Sequence, residues 1–415
     1  MIAATRRACC WLPLGLALAL WTTSCQVAPD SPGRWVGTWA TSPIVENKDA
    51  STPVLADATL RQVVRVSRGG QRLRLRFSNA FGRGGLSIAS AEIALPADGS
   101  ALGAAPSVAL RFSGQPGVVV PAGAVMLSDP LEFPLPALAD VAITLRLHEV
   151  PETITGHPGA RATSWWRKTA DATPDSWNNA QRVDRWYFIT GIDVETGTPP
   201  RAVVLLGDSI TDGYGVKPGT HQRWSDGLAR RLHGNPATAD IGVLNQGIGG
   251  NRLLRDGLGP NILARFERDV LAQTGVRWLV VLAGINDIGT RLDARKKGEP
   301  FASTAEIIGA YEQIIARAHA AGIKVFGATI TPYAGAGFYW SEDGETDRQT
   351  VNHWIRESGH FDAVIDFDAA LRDPNNPSRL ALAFDSGDHL HPSMAGYAEM
   401  ARVVDLNLFA TPAAR

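Results

Sequence analysis

Three cysteines occur in the whole chain, and all of them (Cys9, Cys10 and Cys25) lie within the first 25 of 415 residues. The remainder therefore has no disulfide and no thiolate metal site, and its stability must come from buried apolar surface. Net charge is almost absent as well, at −1. That balance leaves no electrostatic footprint for nucleic acid, and no motif of a nucleic-acid-binding fold is present. No run is apolar for long enough to span a bilayer; the stretch over residues 11–21 is too short. Histidine and carboxylates do not cluster at ligand spacing, so no metal and no other cofactor is assigned.

The first residues are read as an address rather than as fold. Arg6 and Arg7 precede the apolar stretch, and small polar residues follow it up to Cys25. This is the layout of a secretory signal, residues 1–25. Thr-Thr-Ser-Cys resembles a lipoprotein processing site with Cys25 as the lipidated first residue, although Thr22 departs from the usual aliphatic residue, and plain cleavage stays open. The expectation is an exported protein, held in the cell envelope (periplasm or outer membrane) or secreted, that touches membrane only through a lipid at Cys25. Residues 26–34, rich in Pro, Gly and Ser, read as a tether.

Within residues 35–195, the pattern from about residue 58 to 150 has period two. Leu73, Leu75 and Phe77 fall on one face of a strand and Arg72, Arg74 and Arg76 on the other, the latter expected to be a solvated face. Gly and Pro clusters punctuate several such runs, no long helix is visible, and the pattern predicts an all-β sandwich. After a linker at 195–200 the pattern changes. Over 200–411, apolar strands alternate with helices near 222–233, 304–321, 345–358 and 393–408. Ser303 and Glu306 form a capping box for the second of these, and Gly322 marks its end. Strands alternating with helices imply a parallel sheet covered on both faces.

Four short stretches interrupt this half: "GDSI" (207–210), "NQGIGGN" (245–251), "AGIND" (283–287) and "DHLHP" (388–392). Loops after successive parallel strands share one edge, where ligands bind in open α/β sheets. Ser209 has two readings there, a nucleophile or a helix N-cap. A serine nucleophile needs a base, the base needs an orienting acid, and the developing oxyanion needs donors. Ser209, His391 and Asp388 can fill the first three roles. The N–H of Ser209, a glycine N–H at 249 or 250, and the Asn286 amide can supply the donors. Asp208 is expected to brace the turn, Asp287 to stabilise a loop, and His389 to be a neighbour with its own hydrogen bond; Asp385 is a fallback acid. The Asp388 carboxylate is expected to lift His391 above the ordinary imidazole value of about 6.5. Trp165, Trp166, Trp177 and Trp186 suggest a sugar platform or, more simply, core packing.

In this order the four stretches resemble the four sequence blocks of the SGNH (GDSL-type) hydrolase family. The resemblance covers the C-terminal half and implies a flavodoxin-like three-layer α/β/α domain that hydrolyses esters without a metal. By position it implies Ser209 as nucleophile, Asp388 and His391 as its partners, and Ser209, Gly250 and Asn286 around the oxyanion. "VGTWATSP", "RLRFSNAFG" and "TGHPGARATSW" are similar to a bacterial subgroup of that family with a preceding β-sandwich, xylan-esterase-like proteins among them. The implied substrate is an ester, an acetylated polysaccharide or another short-chain ester. A lipase or lysophospholipase, a sugar O-acyltransferase and a non-catalytic glycan-binding protein are the competing readings.

Overall fold

The computed structural model describes residues 34–46, 52–96, 106–168, 177 and 179–410, besides Met1. The signal segment, Cys25 and the tether up to residue 33 lie outside the described residues. Six longer strands come first: β1 (Arg34–Ala40), β2 (Thr59–Arg65), β3 (Gly70–Ser78), β4 (Leu86–Ala94), β5 (Asp140–Leu147) and β6 (Ile189–Thr196). They and the shorter strands between them form antiparallel sheets. One contains the order β1-β6-β3, and another contains β2-β5-β4. The alternation seen in the sequence decides which side chains go inward. Leu73, Leu75 and Phe77 are fully buried and share one apolar cluster with Leu60, Val64, Ile88, Ile143 and Leu145. This is the expected β-sandwich, and among the described residues no α-helix precedes Ser209.

The arginine face of β3 departs from its expected solvation. β6 lies beside β3 in a register that sets Asp193 opposite Arg74. Arg74 and Arg76 both pair with the buried Asp193, at 3.0 and 3.1 Å, while Arg72 pairs with Glu132 and Glu195. Arg76 also donates to Gln273 and Thr274 of the C-terminal half. A polar sheet face is covered here by the other half of the chain, with the charges matched by acids on the neighbouring strand.

The second half is built on β7 (Ala202–Gly207), β8 (Gly242–Gly247), β9 (Val276–Leu282), β10 (Lys324–Ala328) and β11 (Ala363–Ile365), all parallel, in the order β8-β7-β9-β10-β11. The interior strand β7 is buried on both sides. Val203 and Leu205 pack with Trp224, Leu228 and Tyr397 in one layer; Val204 and Leu206 pack with Phe266, Ile307 and Ile314 in the other. Each of these four side chains contributes about 1.5–3 kcal/mol before chain entropy is counted. The alternation explains why the strand reads as a continuous apolar run and places helices on both faces. The sequential order is 2-1-3-4-5, with the switch in direction beside β7.

The helices that bear on the site are α1 (Ser209–Asp212), α2 (Trp224–His233), α3 (Ile262–Phe266), α4 (Ile285–Gly289), α5 (Thr304–Ala320), α6 (Glu342–Glu357) and α7 (Met394–Val403). α5 has the expected Ser303–Glu306 capping box. α6 starts before the expected 345 because Ser341 accepts from the Gly344 N–H and caps it there. α7 stops short of 408, and a 3-10 turn over Leu406–Phe409 continues the chain.

The two halves meet along β8. The Val243 N–H donates to Ser67 Oγ at 2.9 Å, and the Gly37 N–H donates to the Thr274 carbonyl at 2.9 Å.

Candidate active site

β7 ends at Gly207 and the chain turns at once into α1. Asp208 keeps an extended backbone, and its Oδ1 accepts from the Ile210 N–H at 3.0 Å. Asp208 is thus the N-cap, so the capping reading of Ser209 falls away. The other oxygen, Oδ2, is buried with no hydrogen-bond partner among the described residues. Burial, with Asp287 nearby, pushes the Asp208 pKa up to about 7.

Ser209 Oγ lies 2.8 Å from His391 Nε2, and His391 Nδ1 lies 2.6 Å from Asp388 Oδ2. The second Asp388 oxygen accepts the N–H groups of Leu390 and His391, at 2.9 and 2.8 Å, and the Ser386 hydroxyl at 2.9 Å. With Nδ1–H turned to a carboxylate, Nε2 faces the serine as an acceptor. Burial works to raise the Asp388 pKa, but the donors of His391 and Leu390 outweigh it and hold the carboxyl at about 2. For His391 the expected direction is reversed. Burial of the imidazole is the largest influence and lowers its pKa; Asp388 opposes this, and the Arg161 charge adds to the lowering. The ring is therefore neutral at neutral pH. His389 turns away through a left-handed backbone, φ 61°, and its Nδ1 sits 2.5 Å from Asp385 Oδ2.

The glycine block follows β8. Gly250 has φ 67°, a conformation that suits glycine, whereas Gly249 does not have a positive φ. The next residue, Asn251, accepts the Asn286 Nδ2–H on its carbonyl at 2.9 Å. Tyr339 donates its hydroxyl to Asn286 Oδ1 at 2.9 Å. Burial raises the Tyr339 phenol to about 12, so it stays a donor. Asp287 accepts the Leu253 N–H on both oxygens and braces this loop as expected; burial raises its pKa to about 6.

The β-sandwich reaches into the site. Tyr214 stacks on the His391 ring at 4.0 Å, and the Arg161 guanidinium lies 5.5 Å from the Tyr214 ring centre. His157 Nε2 lies 3.0 Å from Asp212 Oδ1, and its Nδ1 lies 2.8 Å from the Ser42 carbonyl oxygen. A side chain at Gly159 would fall 1.8 Å from Asp212 Oδ2, so only glycine admits this approach. A cavity of about 180 Å³ opens between His157, Gly159 and Arg161 on one side and Ile248, Gly249 and Leu258 on the other. A groove of about 690 Å³ runs past Gly250, Leu258, Phe301 and Tyr339. Trp166, Trp177 and Trp186 are buried, and Trp186 stacks on His157. These three serve packing.

The candidate site thus lies at the carboxyl edge of the parallel sheet. Residues 205–399 match the model of the GDSL-like lipase/acylhydrolase family, so this half of the chain carries a GDSL-like hydrolase domain. No curated protein matches the sequence. Solved structures similar to it include a catalytic mutant of Axe2, an acetylxylan esterase from Geobacillus stearothermophilus. It is 23% identical with a TM-score of 0.39, over 49% of this chain and 91% of that one. A lipase/acylhydrolase from Enterococcus faecalis is 22% identical, TM-score 0.38, over 49% of this chain and 92% of that one. A GDSL-like lipase from Bacteroides thetaiotaomicron is 20% identical, TM-score 0.36, over 50% and 88%.

Sequence reading missed Arg161, Tyr214, Tyr339, His157 and Arg265. Only Arg265 left a signal. In "ILARFERDVL" the apolar residues Ile262, Phe266 and Val270 mark a helical core face, and Arg265 and Asp269 sit on that same face four residues apart. Charges at core positions four apart announce a buried pair.

Proposed function

We propose that the protein hydrolyses carboxylic esters through an acyl-enzyme at Ser209. The observation that carries this reading is the hydrogen-bonded line Ser209–His391–Asp388, in which a hydroxyl meets the free nitrogen of a buried neutral imidazole. His391 Nε2 takes the Ser209 proton as Oγ attacks the ester carbonyl carbon. The carbonyl electron pair moves onto oxygen, and the N–H groups of Ser209 and Gly250 with the Asn286 amide receive it. Each such donor is worth about 3–4 kcal/mol at the transition state. The imidazolium then protonates the departing alcohol oxygen as the C–O bond breaks, leaving acyl-Ser209. A water molecule repeats the sequence with His391 as base and releases the acid. Asp388 holds the tautomer and the charge throughout.

Within this reaction, O-acetyl groups on carbohydrate are the first substrate class, supported by the likeness of the N-terminal sequence stretches to xylan-esterase-like proteins. The test is a panel of nitrophenyl esters of rising chain length, acetylated xylan and phospholipid, for wild type and Ser209→Ala, with and without an added sugar acceptor. Wild type is expected to release acetate into water, and the variant to lose up to about 10⁶-fold in turnover while keeping its fold. Comparable rates in the two would remove Ser209 from the mechanism. Preference for phospholipid would favour a lipase, and acyl transfer to the sugar a transferase. For localisation, a lipid anchor at Cys25 is part of the same proposal. Mass spectrometry of the mature N-terminus tests it, and an unmodified first residue other than Cys25 would exclude the anchor.

A further inference from the structure

Against the strand end that leads into Ser209 lies one guanidinium fully shielded from solvent. Arg265 stands at the end of α3, where the helix passes into a π-turn over Glu267–Leu271. Its side chain is 0% exposed. Nε donates to Asn251 Oδ1 at 2.9 Å. Nη1 is within 2.8–2.9 Å of Ser42 Oγ, the Gln246 carbonyl and Asp269 Oδ2, and Nη2 donates to the Gly207 carbonyl at 2.9 Å. Those acceptors come from separate segments. Gly207 is two residues before Ser209. Gln246 and Asn251 bracket the glycine block, and the Asn251 carbonyl receives the Asn286 amide. Ser42 belongs to the β-sandwich and donates in turn to Gln246 Oε1 at 2.6 Å. Asp269 supplies the counter-charge and is shared with Arg268.

A charge in this position is costly unless every donor is met. A helix packed on a sheet is ordinarily served by an apolar residue there. What an apolar residue cannot do is fix the carbonyl ends of two neighbouring strands relative to one another. The planar fork of arginine, with donors in set directions, can. The segments that it joins carry all three groups to which the proposed mechanism gives the oxyanion: the Ser209 N–H, the Gly250 N–H, and the Asn286 amide through Asn251.

We propose that Arg265 is the positioning residue of the oxyanion hole, setting the spacing of its three donors without touching substrate. The proposal rests on the acyl-enzyme reading above. Geometry held to a few tenths of an ångström separates a preorganised hole from a polar pocket, and the loss of one donor's alignment costs about 10²–10³ in kcat. Lysine keeps the charge beside Asp269 but is a point donor that cannot reach acceptors on opposite sides. Arg265→Lys is therefore the informative variant.

The experiment measures kcat and KM for a soluble acetyl ester, the acid limb of the pH profile, and the affinity of a trifluoromethyl ketone, whose serine adduct carries an oxyanion. Expected for Arg265→Lys are a fall in kcat of about 10²-fold or more, KM within about threefold of wild type, an unmoved acid limb, and weaker ketone binding in proportion to the loss in kcat/KM. A merely structural role would lower the active fraction and leave the ketone affinity of the surviving molecules unchanged, and that result overturns the proposal. So does a folded variant with kcat within threefold of wild type. Should Arg265→Lys fail to fold, Asn251→Ala removes one acceptor and leaves the buried charge paired. It is expected to lower kcat about tenfold with the same proportionate loss of ketone binding, and kcat within twofold overturns the proposal. A fluorophosphonate probe on the wild type separates the two levels. Failure to label Ser209 refutes the acyl-enzyme reading itself, whereas normal labelling with an unaffected Arg265→Lys refutes only the role of Arg265.

Discussion

Replacing Arg161 with methionine removes a positive charge from above the Tyr214–His391 stack while keeping a polarisable side chain against the ring. The stacking steps of 5.5 and 4.0 Å put the guanidinium at most about 9.5 Å from the imidazole centre. At that separation two unit charges interact by about 0.4–1.7 kcal/mol for effective dielectric constants of about 80 down to 20. That repulsion opposes protonation of the imidazole, so the Arg161 charge lowers the His391 pKa. The sign is fixed by electrostatics: Arg161 disfavours the imidazolium and, together with burial, keeps His391 below its ordinary value. Wild-type kcat/KM should therefore hold its plateau to below pH of about 6.5 and fall only under it. In Arg161→Met the acid limb should move to higher pH, and in Arg161→Lys it should stay near the wild-type position. The measurement is kcat/KM against pH on a soluble acetyl ester. A midpoint that stays put in Arg161→Met, or moves to lower pH, would refute the argument that the β-sandwich tunes the base.

His391→Ala should abolish turnover and His389→Ala should cost little, since His389 is spoken for by Asp385; the reverse pattern in initial rates would mean that the Asp-x-x-His block has been read out of register. Asp208→Asn should stabilise the fold in a pH-dependent way. The buried carboxyl titrates near 7 folded and near 3.9 unfolded, so wild type loses stability as pH rises through that window and the loss is complete above about pH 7. The gain in Tm of Asp208→Asn over wild type should grow from pH 4 to pH 7 and then level; a gain independent of pH would show that Asp208 does not titrate in that range.

The parts of this protein legible in its sequence are those encoded locally. Strand alternation at 72–77, the Ser303–Glu306 box and the four short blocks each carry their meaning within a few residues. Tertiary contact decided the rest. Nothing local says that Asp208 rather than Ser209 caps α1, because both residue types cap well and only the backbone settles it. His391 shows the same limit in energy: its spacing from Asp388 points to an upward shift, but burial by Tyr214 and the surrounding loops exceeds that pull. Arg161 and His157 approach the site from the β-sandwich, some 50 residues before Ser209 in sequence, and no periodicity registers that.

The contact along β8 has a bearing on handling the protein. β8 is the outermost strand of the parallel sheet, and β1 and Ser67 lie over its free side, with Ser67 Oγ accepting the Val243 N–H. An uncovered strand edge is a template for pairing with another chain. A chain cut to begin at residue 200 would retain every residue of the four blocks and yet expose that edge, together with the apolar surface beneath it. Poor solubility of such a fragment would say nothing about the chemistry of Ser209. It would report the loss of a guard that keeps one sheet from finding another.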